Sequence, residues 1–288
     1  MKFAVIGGDM RIARLCSLLV SDGHDVCSFA LDKGECSRDI YCAGSPEEAA
    51  WGADCVVLPL PVMGQRGFLN SPLSAGEYEI KEILETIEPG TLVCGGILEP
   101  ETLALGEQLG LRMVDYFKRE ELAVFNAVAT AEGAIGIIMQ ETPVTIWGSR
   151  ILVIGYGRLG KMLSSRLHAL GAKVSVSARN PGDMAWITAG GCSALDTRAL
   201  EGHLSDFDVV VNTVPALVLT EERLMELRDD ALCLDLASKP GGMDFAAASR
   251  LGVRAIWALS LPGEVAPESA GAIIRDTIYN ILEEQEEP

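Results

Sequence analysis

The residues with the clearest chemical signature are three glycines at GxGxxG spacing. Gly155, Gly157 and Gly160 follow a β-branched apolar run, 151–154, and precede residues 161–170, whose apolar side chains recur at helical spacing. In such a strand–turn–helix the first glycine permits the tight turn, the second lets a pyrophosphate approach the backbone, and the third lets the helix pack on the strand. The pattern predicts a dinucleotide site. Its residues are expected to be Gly155, Tyr156, Gly157, Arg158, Leu159 and Gly160.

The next predicted strand, 173–178, ends in residues that bear on the choice of dinucleotide. NAD enzymes usually place Asp or Glu there, about 20 residues beyond the motif, to bind the ribose 2′-hydroxyl. This sequence has Ser177, Arg179 and Asn180 instead. No carboxylate would repel a 2′-phosphate, and the planar guanidinium of Arg179 could bind one. NADP is expected rather than NAD, with an exposed loop Arg as the alternative interpretation.

Two further predicted strands end in candidate site residues. One ends at Thr213, Val214 and Pro215, and the other, 231–237, is followed by Lys239. In a doubly wound sheet the loops at the carboxyl ends of the strands line the ligand crevice. These residues are therefore expected to face the nicotinamide and the substrate.

Strands and helices alternate along the whole chain, and this alternation predicts the fold class. We expect an α/β protein of two doubly wound domains with mostly parallel sheets. The first would be a substrate-side domain, 1–145, that includes a long connecting helix, 120–141. The second, 146–288, would be the Rossmann domain for NADP. Whether the last helix, 268–284, packs back on the first domain is left open by its spacing.

Composition argues against several classes of partner and site. The chain has 288 residues, with 23 Lys and Arg against 41 Asp and Glu, and its net charge of −18 argues against nucleic acid or an anionic membrane as partner. No apolar run approaches the roughly 18 residues of a membrane span, and no signal peptide is recognised. The eight cysteines form no CxxC pair and indicate reduced core thiols in a cytoplasmic protein. No metal site is predicted, because Cys27, Cys36 and Cys42 lack a companion His pair.

The long helix, 120–141, carries polar residues in an apolar stretch. Asn126 and Thr130 lie four residues apart, on one face, and Glu132 follows them. A helix that connects two α/β domains is expected to border the cleft in which their common ligand would sit. These three residues are therefore candidate site residues, and exposure to solvent is the alternative for each.

Several segments together resemble the A subunit of dipicolinate synthase, a sporulation enzyme of spore-forming bacteria. They are GGDMR, DYFKREELAVFNAVATAEGAI, GSRILVIGYGRLG, VNTVPALVL, DLASKPGGMDFAAA and LPGEVAPESAGAI. One departure is Ala129, where the family usually has Pro. The resemblance implies oxidation of dihydrodipicolinate to dipicolinate (pyridine-2,6-dicarboxylate), with NADP taking the hydride, in the mother-cell cytoplasm. It also implies a partner, the flavin-binding, flavodoxin-like B subunit, and it leaves a homo-oligomer open.

Under this resemblance the candidate charges acquire roles. Arg119 and Lys239 could bind the two substrate carboxylates, and Glu132 or Lys239 could be the base that removes a ring proton. Pairing with other charges at the surface is the alternative for each of them.

Two rival functions stay open at this point. One is a dehydrogenase of another small carboxylate, although a His-based one is disfavoured because His24, His168 and His203 fall on predicted helix ends or loops. The other is a non-catalytic NADP-binding scaffold or sensor for a flavoprotein. The scaffold would bind NADP without turning over dihydrodipicolinate.

Overall fold

The chain forms two compact units. In the computed structural model the described residues are 1–34, 39–64 and 67–286. The first unit comprises Met1–Asn126 with Ala266–Pro288, and the second comprises Ala127–Val265. The division thus falls inside the long helix, whereas the sequence placed the boundary after it, at residue 145. Periodicity shows where a helix begins and ends, but it does not show at which residue the helix stops packing against one unit and starts packing against the other.

The first unit is built on a six-stranded parallel sheet. Its strands are β1 Lys2–Ile6, β2 Asp25–Phe29, β3 Tyr41–Cys42, β4 Cys55–Val57, β5 Leu92–Gly95 and β6 Arg112–Asp115. Its helices in this part of the chain are α1 Met10–Ser21, α2 Pro46–Ala50, α3 Ile80–Glu85 and α4 Pro100–Gln108, and α5 Glu120–Glu141 begins here. The spatial order β3-β2-β1-β4-β5-β6 is that of a doubly wound sheet.

Both faces of this sheet are covered, and this explains why its central strands are apolar at successive positions. In β1, Phe3 and Val5 pack into one hydrophobic cluster, and Ala4 and Ile6 pack into a second cluster. All four side chains are fully buried. The alternation of a strand's side chains between two faces accounts for the two clusters.

The second unit repeats this architecture. Its parallel strands are β7 Arg150–Ile154, β8 Lys173–Ala178, β9 Ser193–Asp196, β10 Val209–Asn212, β11 Leu232–Asp235 and β12 Arg254–Trp257, in the order β12-β11-β10-β7-β8-β9. Its helices are α6 Arg158–Ala169, α7 Pro181–Ala189, α8 Glu221–Leu224, α9 Phe245–Leu251 and α10 Leu261–Val265. This is the strand order of a Rossmann fold, with the change of direction between β7 and β10. The predicted fold class is confirmed.

The last helix, α11 Pro267–Glu286, completes the core of the first unit. Ile274 and Ile278 are buried in the same cluster as Phe3. Gly271 allows close packing, because a Cβ at this position would lie 2.8 Å from the carbonyl oxygen of Arg11 in α1. The C-terminal helix therefore belongs structurally with the N-terminal part of the chain.

Helix α5 has the length and composition of a membrane span. An 18-residue window within it has a mean hydropathy of 1.7. Polar residues such as Asn126 and Glu132 interrupt the apolar ones, so the sequence has no unbroken apolar run of this length here. A core helix of a globular protein meets the same criterion, and 39% of the window is buried. The helix is therefore only weak evidence for a membrane segment.

Candidate functional site

A cleft of about 710 Å³ opens at the carboxyl ends of β7, β8 and β10. The change of strand direction between β7 and β10 is where doubly wound sheets bind their ligands. Most of the residues predicted to bind the cofactor line it, namely Gly155, Tyr156, Gly157, Arg179, Asn180, Thr213, Val214 and Pro215. The others do not line it within the described part of the chain, namely Arg158, Leu159, Gly160 and Ser177.

The three motif glycines differ in what surrounds them. Gly155 has φ +100°, and a Cβ there would lie 2.5 Å from Thr213 Oγ1, so the turn requires glycine. A Cβ at Gly160 would overlap the carbonyl oxygen of Gly155, so the helix can approach the turn only without a side chain at this position. Gly157 has nothing within 4 Å of the place where its Cβ would be. The open space at Gly157 is what a pyrophosphate needs to reach the backbone.

The amino end of α6 adds an electrostatic component to this turn. Gly157 is its N-cap residue and has no side chain with which to cap the helix. The first N–H groups and the positive end of the helix dipole are therefore available to an anion. Lys161 lies nearby, with Nζ 5.4 Å from the centre of the Tyr156 ring. Together these groups fit the diphosphate of a dinucleotide.

The end of β8 presents the cation of Arg179 to the cleft. The guanidinium of Arg179 is exposed and has no hydrogen bond or ion pair with any residue that the structure describes. Ser177 is buried, and its Oγ accepts a hydrogen bond from Thr197 Oγ1 at 3.1 Å. Asn180 caps α7 by accepting the N–H of Gly182 at 2.8 Å. Of the three polar residues predicted here, Arg179 is thus the one best placed to bind a 2′-phosphate.

Some residues that line the cleft were not predicted from the sequence, notably Asp183, Thr197 and the segment 216–218. Asp183 lies in the first turn of α7, three residues after the N-cap Asn180. The sequence Asn-Pro at 180–181 is a recognisable helix start, and it could have placed Asp183 beside the cleft. Its carboxylate matters because it puts a negative charge in the same cleft as Arg179.

The loop after β10 is tied to the neighbouring strands by buried hydrogen bonds. Thr213 Oγ1 donates to the carbonyl oxygen of Ile154 at 2.8 Å. Asn212 is fully buried, and its Nδ2 donates to the carbonyl oxygen of Val214 at 2.9 Å and to Asp235 Oδ1 at 2.8 Å. These bonds fix the wall of the cleft that Thr213 and Val214 form.

Asp235, at the end of β11, is the centre of this network. It is fully buried and also accepts the N–H of Ala237 at 3.0 Å and the N–H of Gly242 at 2.7 Å. Because a buried carboxylate must be hydrogen-bonded, these donors hold the loop 236–242 in place. Lys239 lies in this loop, exposed at the carboxyl edge of the sheet, but it is not among the residues that line the 710 Å³ cleft.

Comparison with known proteins places the chain in a family. Residues 2–117 match the family model described as the N-terminal domain of the dipicolinate synthase A subunit. The A subunit of dipicolinate synthase from Bacillus subtilis (strain 168) is 32% identical over 286 residues, which cover 99% of this chain and 96% of that protein. The chain belongs to the family of dipicolinate synthase A subunits.

Two solved structures of this family have the same fold. The A chain of dipicolinate synthase from Bacillus subtilis superposes with a TM-score of 0.87 at 31% identity, covering 99% of this chain and 96% of that one. The corresponding protein from Bacillus halodurans gives a TM-score of 0.88 at 30% identity, covering 100% and 98%. The resemblance that the sequence motifs indicated is confirmed.

Of the five candidate catalytic residues, Lys239, Glu132 and Thr130 belong to the second unit, and none of these three lines the 710 Å³ cleft. Arg119 and Asn126 belong to the first unit. Asn126 and Thr130 are half-buried on α5. Glu132 is exposed, and its Oε1 lies 3.6 Å from Nε of Arg166 in α6. For Glu132 the structure therefore shows the surface pairing that was the alternative interpretation.

Arg119 was expected to bind a substrate carboxylate, but it binds two carboxylates of the chain itself. Its Nη1 and Nη2 donate to the two carboxylate oxygens of Glu284 at 2.7 and 2.5 Å, and its Nε donates to Glu121 Oε1 at 2.8 Å. A substrate carboxylate would have to displace Glu284. This geometry argues against the expected role and indicates that Arg119 fastens α11 to the start of α5 within the first unit.

Arg119→Ala should weaken the folded state at neutral pH and leave dinucleotide affinity unchanged. The hydrogen bonds from Arg119 lower the pKa of Glu284 below its ordinary value of 4.5. A carboxyl whose pKa is lowered by folding stabilises the folded state above its unfolded pKa, and this contribution is lost as the pH falls through the folded pKa. Urea unfolding should therefore separate variant and native chain at pH 7, and the difference should shrink as the pH falls through the lowered pKa of Glu284. Loss of dicarboxylate binding in a variant that still folds and still binds the dinucleotide would return Arg119 to the site.

The seven cysteines in the described part of the chain are free thiols of differing exposure. The buried ones among the described residues are Cys16, Cys27, Cys55, Cys94 and Cys233. Cys42 is exposed, so the prediction of core thiols is wrong for it, because the short strand β3 leaves both its residues exposed. Cys36 lies outside the described residues. Within those residues no group of three or more His, Cys, Asp or Glu could hold a metal ion.

Proposed function

We propose that the chain is the oxidoreductase subunit of a dipicolinate synthase, oxidising dihydrodipicolinate to pyridine-2,6-dicarboxylate with hydride transfer to NADP. The observation that carries the proposal is the geometry of the turn from Gly155 to Gly160. It is closed to a side chain at Gly160 and open at Gly157, beside the amino end of α6. Membership of the family of dipicolinate synthase A subunits supports the choice of substrate.

The reaction removes a hydride from one ring carbon and a proton from a neighbouring position, which together make the ring aromatic. The nicotinamide, when bound, supplies the hydride acceptor. The residues of the chain must then bind two carboxylates and accept the proton. Since the net charge is −18, the carboxylates need local cations.

Lys239 is our candidate for binding a substrate carboxylate or for accepting the proton. It lies at the same edge of the sheet as the turn from Gly155 to Gly160, in a loop that Asp235 holds. Glu132 is the alternative base, because its ion pair with Arg166 is long, at 3.6 Å, and exposed.

Membership of a family of enzyme subunits implies a partner. We propose that this partner is the flavin-binding B subunit, and that the two act in the mother-cell cytoplasm during sporulation. The test is to incubate the chain with dihydrodipicolinate and NADP, first alone and then with the flavoprotein, and to follow dipicolinate and NADPH together. Equal amounts of both products would support the proposal. Tight NADP binding without turnover, even with the partner, would support a scaffold instead.

Arg179→Ala should abolish most of the preference for NADP over NAD. In the native chain we expect NADP to bind at least about tenfold more tightly, a difference of about 1.4 kcal/mol, because Arg179 can pair with the 2′-phosphate. Calorimetric titration of both dinucleotides into native chain and variant measures the preference. Equal affinities in the native chain would contradict the assignment of residues 177–180.

Asp183→Asn is the matched variant to Arg179→Ala, because it removes a negative charge from the same cleft. Because its carboxylate shares the cleft with Arg179, its removal should increase the preference for NADP by a few-fold while leaving NAD affinity nearly unchanged. If the variant instead loses NAD affinity, Asp183 binds the ribose hydroxyls, and the chain uses its carboxylate as an NAD enzyme would.

A further inference from the structure

A second cavity of the second unit lies at the opposite edge of its sheet. It has a volume of about 500 Å³. Its wall includes the first residues of three strands, Arg150 of β7, Lys173 of β8 and Ser193 of β9. Because these strands are parallel, their amino ends lie at the edge away from the cofactor cleft. The cavity is therefore separate from the site described above.

The charge of this cavity is opposite to that of the chain. Arg150, His168, Lys173 and His203 line it, and Asp206 is the one acidic residue among the lining residues in the described part of the chain. The chain as a whole has 41 acidic residues against 23 Lys and Arg, and only 3 histidines, two of which line this cavity. Arg150 and Lys173 are like charges in one cavity, so placing them together costs free energy that a bound anion would offset.

The partners of these residues leave several donors available. Arg150 pairs with Asp206 at 3.2 Å, but both side chains are about half exposed, so the pair is weak. Lys173, His168 and His203 are exposed, and none has a hydrogen bond or ion pair from its side chain to another described residue. Helix α6 ends at Ala169, so its dipole accounts for a basic residue at position 168, but it does not account for Lys173 or His203.

The backbone under the cavity is held rigidly. The N–H of Lys173 donates to the carbonyl oxygen of Ser149 at 2.8 Å, and the N–H of Arg150 donates to Asp208 Oδ2 at 2.7 Å. The ring of His168 packs against Gly191, where a Cβ would lie 2.9 Å from Nε2. Because the backbone that carries Arg150 and Lys173 is already held, a ligand would have to order their side chains but not the main chain.

We propose that this basic pocket, formed by Arg150, His168, Lys173 and His203, binds a small anion that carries at least two negative charges on carboxylate or phosphate groups. Its volume suits a small molecule. A ligand here would sit on the same sheet as the cofactor cleft but would not compete with the dinucleotide. The inference does not depend on the reaction proposed above.

The three histidines allow a direct test by NMR. Imidazole resonances of the native chain are recorded during titration with inorganic phosphate, with pyridine-2,6-dicarboxylate, and with chloride at matched ionic strength. His168→Gln and His203→Gln assign the signals, and His24, in the first unit, is the internal control. We expect one of the two polyanions to shift His168 and His203 saturably without shifting His24. Which one does so distinguishes a phosphate ligand from a carboxylate ligand.

A pair of charge variants completes the test. Lys173→Gln should lower the affinity for the anion about tenfold. Lys81→Gln, which removes an exposed lysine of the first unit, should leave this affinity unchanged. NADP affinity should be the same in both variants, so failure here is distinguishable from failure of the proposed function. Shifts no larger than those with chloride, equal shifts at His24, or equal weakening by both variants would overturn the proposal.

Discussion

Gly157→Ala should reduce dinucleotide affinity about a hundredfold while changing the free energy of unfolding by less than about 1 kcal/mol. The structure has room for the added Cβ, since no atom lies within 4 Å of it, and the backbone there has an ordinary φ of −76°. The room is the space that the pyrophosphate would occupy, so the methyl group interferes with the ligand and not with the fold. Calorimetric titration and urea unfolding of the same preparation measure the two effects.

Gly160→Ala is the matched comparison, because it adds the same methyl group three residues later. Here the Cβ would overlap the carbonyl oxygen of Gly155, a backbone atom that cannot move without opening the turn. We expect a loss of stability of about 3 kcal/mol, with dinucleotide binding lost as a consequence. If Gly157→Ala binds NADP as the native chain does, the dinucleotide does not use this turn.

Asp235→Ala should destabilise the second unit by about 3 kcal/mol or more. The substitution leaves three N–H groups without their acceptor, namely one of the two on Asn212 Nδ2, whose other N–H still donates to Val214, and the backbone N–H groups of Ala237 and Gly242. The loop that carries Lys239 and the wall formed by Val214 would both lose their anchor, so turnover should fall as well. Urea unfolding monitored by circular dichroism measures the stability.

Two further variants isolate the cause of this effect. Asp229→Ala removes an equal charge from an exposed turn and should change stability little, so it controls for the relief of charge repulsion in an acidic chain. Asp235→Asn keeps the shape of the side chain but places an amide donor among the N–H groups that need an acceptor. Its stability should lie between those of the native chain and Asp235→Ala. If Asp235→Ala and Asp229→Ala unfold at the same urea concentration, the buried network does not stabilise the loop.

The parts of the site that depend on local sequence could be predicted. Strand β8, Lys173–Ala178, has the predicted bounds, and the glycine turn before it adopts the expected geometry. Both follow from short-range rules, a β-branched alternation in the strand and the absence of side chains at fixed positions in the turn. Arg179 was identified for the same reason, since the end of β8 has a fixed place relative to the motif.

The parts that depend on contacts between distant residues could not be predicted. Arg119 pairs with Glu284, and Asn212 pairs with Asp235, across separations that no periodicity encodes. A signal for Asp235 was nevertheless present, because a lone carboxylate inside the apolar run ALCLDLA must find hydrogen-bond donors once the strand is buried. No comparable signal exists for Arg119, because the local sequence is the same whether its guanidinium is free or paired.

The most direct test of hydride transfer follows a hydrogen atom from the substrate ring to the dinucleotide. Dihydrodipicolinate deuterated at its saturated ring carbons is incubated with NADP, the native chain and the flavin-binding partner, and the NADPH is analysed by mass spectrometry. We predict that each NADPH carries one deuterium for each dipicolinate formed and that the second ring hydrogen is released to water. At an NADP concentration that half-saturates the native chain, Gly157→Ala should form both products far more slowly. Dipicolinate that appears with unlabelled NADPH, or without NADPH, would contradict hydride transfer to a dinucleotide bound at this turn.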